Sequence, residues 1–180
     1  MDLLDKNMTY SRISKFLHWL MALLIVAAFA LGFVMTDIPG ITPAKLKYFS
    51  WHKWLGVTVL LLTALRLLWR LKHPAPPYLQ FMPRWQMLIS GLAHGAMYVL
   101  MFAVPLSGYF YSLAAGVPVV YLGIVPLPVF IDADPVLKPM LKELHEALTY
   151  GLLSVIALHI LAVIKHQFID KDNMLKRMLP

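Results

Sequence analysis

Histidine is the residue type in this chain best placed to do chemistry. There are seven, and five of them, His18, His52, His94, His145 and His159, lie within or at the edges of long apolar runs. An ionisable ring is expensive to keep inside a membrane-spanning stretch, so its presence there points to function, with metal ligation foremost. His145 and His159 sit on one apolar run, and on a helix their spacing of about 14 residues returns to within about 40° of the same face while separating them by about 21 Å along the axis. One ion cannot bridge that gap, whereas two metal centres stacked along the helix could each take one histidine.

The chain contains no cysteine. That excludes thiolate-held iron–sulfur clusters, disulfides, thiol nucleophiles and covalently attached c-type haem, and leaves b-type haem held only by axial ligands and packing. A six-coordinate electron-transfer haem needs two axial ligands, and depth sorts the histidines into pairs. His52 opens the second apolar run at the end where the fourth begins, so it is expected to face His145. His18 begins the first run at the opposite end, at the depth of His159. The expected pairs are His18 with His159 at an inner haem iron and His52 with His145 at an outer one. His94 opens the third run at the inner side and competes with His18. His166 lies about 10 Å beyond His159 on nearly the same face and suits proton handling or quinone contact. His73, in the linker His73–Pro74–Ala75–Pro76–Pro77, is expected to be solvated. Set against this is the plainer reading, in which a histidine at a span end merely hydrogen-bonds water or a carbonyl. It carries equal weight for His94 and His166, and less for the four whose depth, topology and helical face agree.

The elements that must position these residues follow from composition. The 180-residue chain is 60% apolar and 14% charged, with a mean hydropathy of +0.70, outside the soluble balance. Four spans of about 20 residues each, together with their connections, take up most of it. The spans are expected at about 16–35, 51–69, 91–111 and 144–165, giving an all-α, single-domain (1–180) integral membrane four-helix bundle. The net charge of +7 lies in short segments between spans, without the continuous stripe of a nucleic-acid surface. With four crossings both termini share a side. Lys6, Arg12, Lys15, Arg66, Arg70, Lys72, Arg84, Lys165, Lys171, Lys176 and Arg177 lie on that side, against Lys45, Lys47, Lys53, Lys138 and Lys142 opposite, which places the termini in the cytoplasm. The A-x-A match at Ala28–Ala30 is not read as a signal-peptide cleavage site, because the apolar run continues to Met35 and the start carries Asp2 and Asp5.

Weaker features complete the pattern. Arg66 and Arg70, one turn apart, could hold haem propionates but are also ordinary topology charges. Lys15, His94 and His166, with Arg12, are inner-side candidates for quinone contacts. Gly91–Gly95 is a G-x-x-x-G match of the common kind, and Pro105 with Gly108 is expected to bend the third helix. The proline-rich, apolar segment Ser112–Lys142 is expected to lie at the interface as a lid. Trp19, Trp51, Trp54, Trp69 and Trp85 cluster near span ends as an aromatic belt would. A metal or proton transporter is disfavoured, since the histidine pairs are far apart and no carboxylate relay is expected inside a span.

Phe16–Leu20, Trp51–Lys53, Leu65–Arg70, His94 with Tyr98, Pro105–Gly108 and the tail from His159 to Met178 together resemble the bacterial cytochrome b561 family, four-helix di-haem membrane proteins that include superoxide oxidase. The tail, with His166–Asp172 and Leu175–Met178, is the most specific part, and the resemblance covers essentially the whole chain. It implies two haems b on histidines matching His18, His159, His52 and His145, and ubiquinone as acceptor in the bacterial inner membrane. It also implies an enzymatic activity of the superoxide:ubiquinone oxidoreductase kind. From the residues, the cluster Lys45, Lys47 and Lys53 near the outer histidine suits steering of an anionic donor such as superoxide. The alternative is an electron-transfer or anchor subunit that docks a periplasmic redox protein through the apolar outer segment.

Overall fold

The first helix, α1 (Arg12–Asp37), begins where the Ser11 side chain accepts the backbone N–H of Ser14 at 3.2 Å, a cap that satisfies one orphan donor of the opening turn. The second, α2 (Pro43–Lys72), starts in the same way. Thr42 Oγ1 accepts from Lys45 N–H at 3.2 Å and Pro43 takes the first helical position, where its missing donor costs nothing. The helix stops at His73, ahead of Pro74. Helix α3 (Arg84–Ala114) runs on through Pro105 and ends at Gly116, whose φ of 73° would strain a residue with a side chain. Helix α4 (Leu137–Lys165) begins where Asp134 Oδ1 accepts the N–H groups of Val136 and Leu137 at 2.7 and 3.0 Å. A π-type turn, His166–Asp170, and a short 3₁₀ turn, Met174–Arg177, follow it. The computed structural model describes residues 9–77 and 82–179. Lys6, Asp2 and Asp5 of the topology and leader arguments lie outside the described residues.

All four helices are long and apolar enough to cross a membrane, and each extends beyond the stretch expected from hydropathy. Hydropathy counts only the hydrocarbon core, whereas capped helices continue into the interface. Helix α2 starts eight residues early because Thr42 and Pro43 set its first turn. The expected lid is correspondingly shorter. Lys138 and Lys142 belong to α4, and the stretch between the helices contains a two-stranded antiparallel hairpin, β1 (Val120–Tyr121) and β2 (Val125–Pro126). The expectation of no carboxylate inside a span also needs correction. Glu146 sits on α4 beside His145, half exposed and 3.3 Å from Lys142 Nζ, so it marks the rim of the bundle rather than a relay through it.

Helix α1 packs on α2, α2 on α3 and α3 on α4. Both chain ends meet at one end of the bundle: Tyr10 N–H donates to Arg177 O at 3.2 Å, and Trp19 Nε1 donates to Met178 O at 2.9 Å. Met21, Ile25, Val59, Met101 and Leu152, drawn from all four helices, form the buried apolar centre. Leu152 lies midway along α4 between His145 and His159, so this centre separates two histidine levels. Outside it the helices expose large aliphatic side chains such as Leu23, Leu61, Leu92 and Leu158. Lipid, which is as apolar as these side chains, is the solvent that such a surface requires.

Candidate functional site

At the end opposite the termini, His52 on α2 and His145 on α4 face each other with ring centroids 6.3 Å apart. Imidazoles that ligate one metal from opposite sides, with metal–nitrogen bonds of about 2 Å, put their ring centroids about 6 Å apart. Each ring is also held from outside. His52 Nδ1 donates to Ala28 O of α1 at 2.9 Å, and His145 Nδ1 donates to Val104 O of α3 at 3.0 Å, with Ser107 Oγ at 3.1 Å. A carbonyl acceptor puts the proton on Nδ1 and leaves Nε2 with a free lone pair, the arrangement that metal-ligating histidines use.

The backbone has been cleared around both rings. A Cβ on Gly108 would lie 2.9 Å from His145 Cε1, and one on Gly32 would lie 3.4 Å from His52 Cε1. A cavity of about 370 Å³ is lined by both histidines, Gly56, Pro105, Gly108 and Tyr109, with Lys45, Lys53 and Lys138 on its wall. That volume lies in the range of small-molecule and cofactor sites. Separation, tautomer and space therefore all fit a haem held by His52 and His145. Lys47, expected beside Lys45 and Lys53, instead lies over the Trp51 ring at 4.7 Å. Lys138, in the sequence a topology charge, lines the cavity as well, because it precedes His145 by seven residues and so shares its helical face.

At the end carrying the termini, three histidines converge. His18 and His159 have ring centroids 6.4 Å apart, while His94 and His159 are at 5.4 Å. The first separation matches a pair sharing one iron and the second is short for it. His18 and His159 are half-buried, and His94 is exposed. The hydrogen bonds divide differently. His94 Nδ1 donates to Ser90 O at 2.6 Å, which frees its Nε2, whereas Arg66 donates to His18 Nδ1 at 3.2 Å and so leaves the His18 proton on Nε2. Ligation by His18 requires the Arg66 guanidinium to leave Nδ1. Arg66, with Arg70, Tyr10, Ser14, Trp69 and Tyr98, lines a cavity of only about 20 Å³, where Arg66 lies over Tyr98 and Arg70 over Tyr10. Two cations so placed suit carboxylates such as haem propionates.

Beyond this level, His166 is bound by Asp172, Nδ1 to Oδ2 2.6 Å, and by Asp170 at 3.1 Å. Lys165 reaches the same Asp170 oxygen at 2.5 Å. Lys171 and Asn173 close the turn in the left-handed region, where side chains are uncommon. The carboxylate partners of His166 were not foreseen as a site. Lys15 is half-buried on the first turn of α1, and His73 stacks on Trp69, ring centroids 3.8 Å apart.

Comparisons with known proteins give the family. A family model described as prokaryotic cytochrome b561 matches residues 9–180. Cytochrome b561 homolog 2 of Escherichia coli K12 is 32% identical over 170 residues, covering 94% of this chain and 90% of the relative. The probable superoxide oxidase CybB of Yersinia pestis is 32% identical over 178 residues, covering 95% and 96%. Cytochrome b561 homolog 1 of E. coli K12 is 28% identical over 171 residues, covering 95% and 97%. The chain therefore belongs to the prokaryotic cytochrome b561 family, haem b electron-transfer proteins that cross the bacterial inner membrane several times.

Proposed function

We propose that this protein takes electrons from superoxide at the periplasmic face and delivers them to ubiquinone at the cytoplasmic face, with one haem b at each histidine level. When bound, the haems supply one-electron storage and transfer. The observation that carries the reading is the pair of histidine levels, His52 with His145 and His18 with His159, at ring separations of 6.3 and 6.4 Å and about 21 Å apart along α4. The reaction balances when two superoxide anions each lose one electron and leave as dioxygen, while one ubiquinone gains two electrons and two protons to become the quinol.

The chain's own groups suit both ends. Lys45, Lys53 and Lys138 bring positive charge to the wall of the periplasmic cavity, which raises the local concentration of an anionic donor. Arg66 and Arg70 would neutralise haem carboxylates at the other level. At the cytoplasmic end, His166 in contact with Asp172 would hold a proton at Nδ1 for the quinone, and Arg12, Lys15 and His94 are the remaining candidates to contact its oxygens. The excess of Lys and Arg at the end carrying the termini supports this orientation.

The test is to purify the protein in detergent, measure haem per chain as the pyridine haemochrome, and follow quinol formation from superoxide and a soluble ubiquinone analogue. Two b haems and superoxide-dependent quinol are expected. Haem reduction without quinol would leave a second reading, an electron-transfer subunit docked to a periplasmic redox protein. The exposed apolar residues Leu122, Ile124 and Phe130 favour that reading, and a stoichiometric partner would co-purify.

A further inference from the structure

The segment between α3 and α4 does not stay above the bundle. After Gly116 it turns back alongside α2, where Trp54 Nε1 donates to Val120 O at 2.7 Å and the Tyr121 hydroxyl lies 2.9 Å from Thr58 Oγ1. A Cβ on Gly123 would touch the Trp54 ring at 3.8 Å. Trp54 and Thr58 lie two and six residues past His52 toward the middle of the span, roughly 3 and 9 Å deeper along the helix axis. The β1–β2 hairpin is thus beside α2 rather than beyond its end, against residues of the span expected at 51–69.

Its chemistry suits that position. No charged residue occurs from Ala115 to Ile131. The backbone closes on itself through the strand pairing, Gly123 N–H to Val120 O, Ile124 N–H to Tyr121 O and Leu127 N–H to Val119 O, as a non-helical segment at this depth must. One side is inward: Val119 is buried, and Val117 and Val119 line the His52–His145 cavity. The other side presents Leu122, Ile124 and Val125, with Ile124 80% exposed.

We infer that the hairpin Val120–Pro126 is a membrane-dipping wedge whose Leu122, Ile124 and Val125 side chains contact the acyl chains of the leaflet opposite the termini. Its apolar face then continues the lipid-facing belt formed by exposed side chains such as Leu23 and Leu61. The hairpin becomes the wall between the cavity and the bilayer, and its apolar surface is covered by lipid rather than by a protein partner.

The absence of cysteine makes the test direct. Ile124→Cys and Val125→Cys would each carry a nitroxide label in the haem-loaded protein, reconstituted in nanodiscs of phosphatidylethanolamine and phosphatidylglycerol. Leu61→Cys on the exposed face of α2 serves as the lipid reference and Asp132→Cys as the aqueous one. Power saturation with oxygen and a nickel chelate should give both hairpin labels an oxygen-to-nickel accessibility ratio close to that of Leu61→Cys and several-fold above that of Asp132→Cys, with the haem spectrum unchanged. A ratio at either hairpin position matching Asp132→Cys would overturn the inference and return the apolar face to the docking reading.

Discussion

His52 and His145 face each other from α2 and α4 with ring centroids 6.3 Å apart, and each is held by a backbone carbonyl from a further helix, Ala28 O on α1 and Val104 O on α3. All four helices thus meet at one histidine pair, two by side chain and two by main chain. The bundle orients the rings before any cofactor arrives, which lowers the cost of binding it.

Removing either ring should remove one haem and spare the other. In His52→Ala and in His145→Ala the pyridine haemochrome of the purified protein should fall from two haems per chain to one, because the buried apolar centre built on Leu152 keeps the other level intact. Retention of both haems in either variant would refute ligation at that residue.

Gly108 provides a steric test of the same site. A Cβ there would meet His145 Cε1 at 2.9 Å and Nδ1 at 3.1 Å, and the ring cannot retreat without losing Val104 O and Ser107 Oγ. Gly108→Ala should destabilise the protein by about 1–3 kcal/mol, the usual cost of overpacking, with a lower thermal midpoint and a changed spectrum of the haem at the His52–His145 level. Gly95→Ala is the control. Among the described residues nothing lies within 4 Å of its Cβ position, so it should be neutral or stabilise by up to about 1 kcal/mol through helix propensity.

Much of this was readable from residue order. The spacing of His145 and His159, with His18 and His52 at opposite ends of their runs, is enough to define two levels, because a membrane helix has a fixed rise and a fixed number of crossings. Other parts left no trace in residue type. The carbonyls of Ala28 and Val104 are backbone atoms that any residue supplies, and the Arg66 bond to His18 depends on helix rotation. The hairpin was hidden for another reason: a charge-free tract rich in valine and proline reads equally as a surface lid or a re-entrant turn. Lys138 is legible in its seven-residue offset from His145, but a lysine at a span end reads as readily as an ordinary topology signal.

At the level near the termini, His18 has the separation of an axial ligand and His94 has the tautomer. His18→Ala should abolish the haem of that level, whereas His94→Ala should keep two haems per chain and alter only quinone reduction. The opposite pattern in the haemochrome would reassign the ligand to His94. Arg66→Gln, which frees His18 Nδ1, should leave haem content intact and lower the midpoint potential only if Arg66 neutralises the propionates.

His166 and Asp172, 2.6 Å apart, should matter to proton delivery and not to haem binding. Asp172→Asn keeps the shape of the turn, since its Oδ1 can still accept Met174 N–H as Asp172 does at 3.0 Å, but it puts an amide N–H donor where His166 Nδ1 had a carboxylate oxygen to donate to. Quinol formation from superoxide should slow several-fold with two haems retained. A normal rate would remove His166 from the proton path.

The lysines of the cavity lined by His52 and His145 make the last test. Electrostatic steering acts over a distance set by the Debye length, about 8 Å at physiological ionic strength, so it must show in both rate and salt dependence. Lys53 and Lys138 line the cavity, whereas Lys47 is engaged over Trp51. Lys53→Gln and Lys138→Gln should each lower the superoxide-dependent rate of haem reduction and flatten its decline with added salt, and the double variant should do so further. Lys47→Gln should do so less, because its charge is not on the cavity wall. If all three variants behaved alike, the lysines would act only as a general surface charge. If none changed the rate, the donor would be neutral or would enter elsewhere.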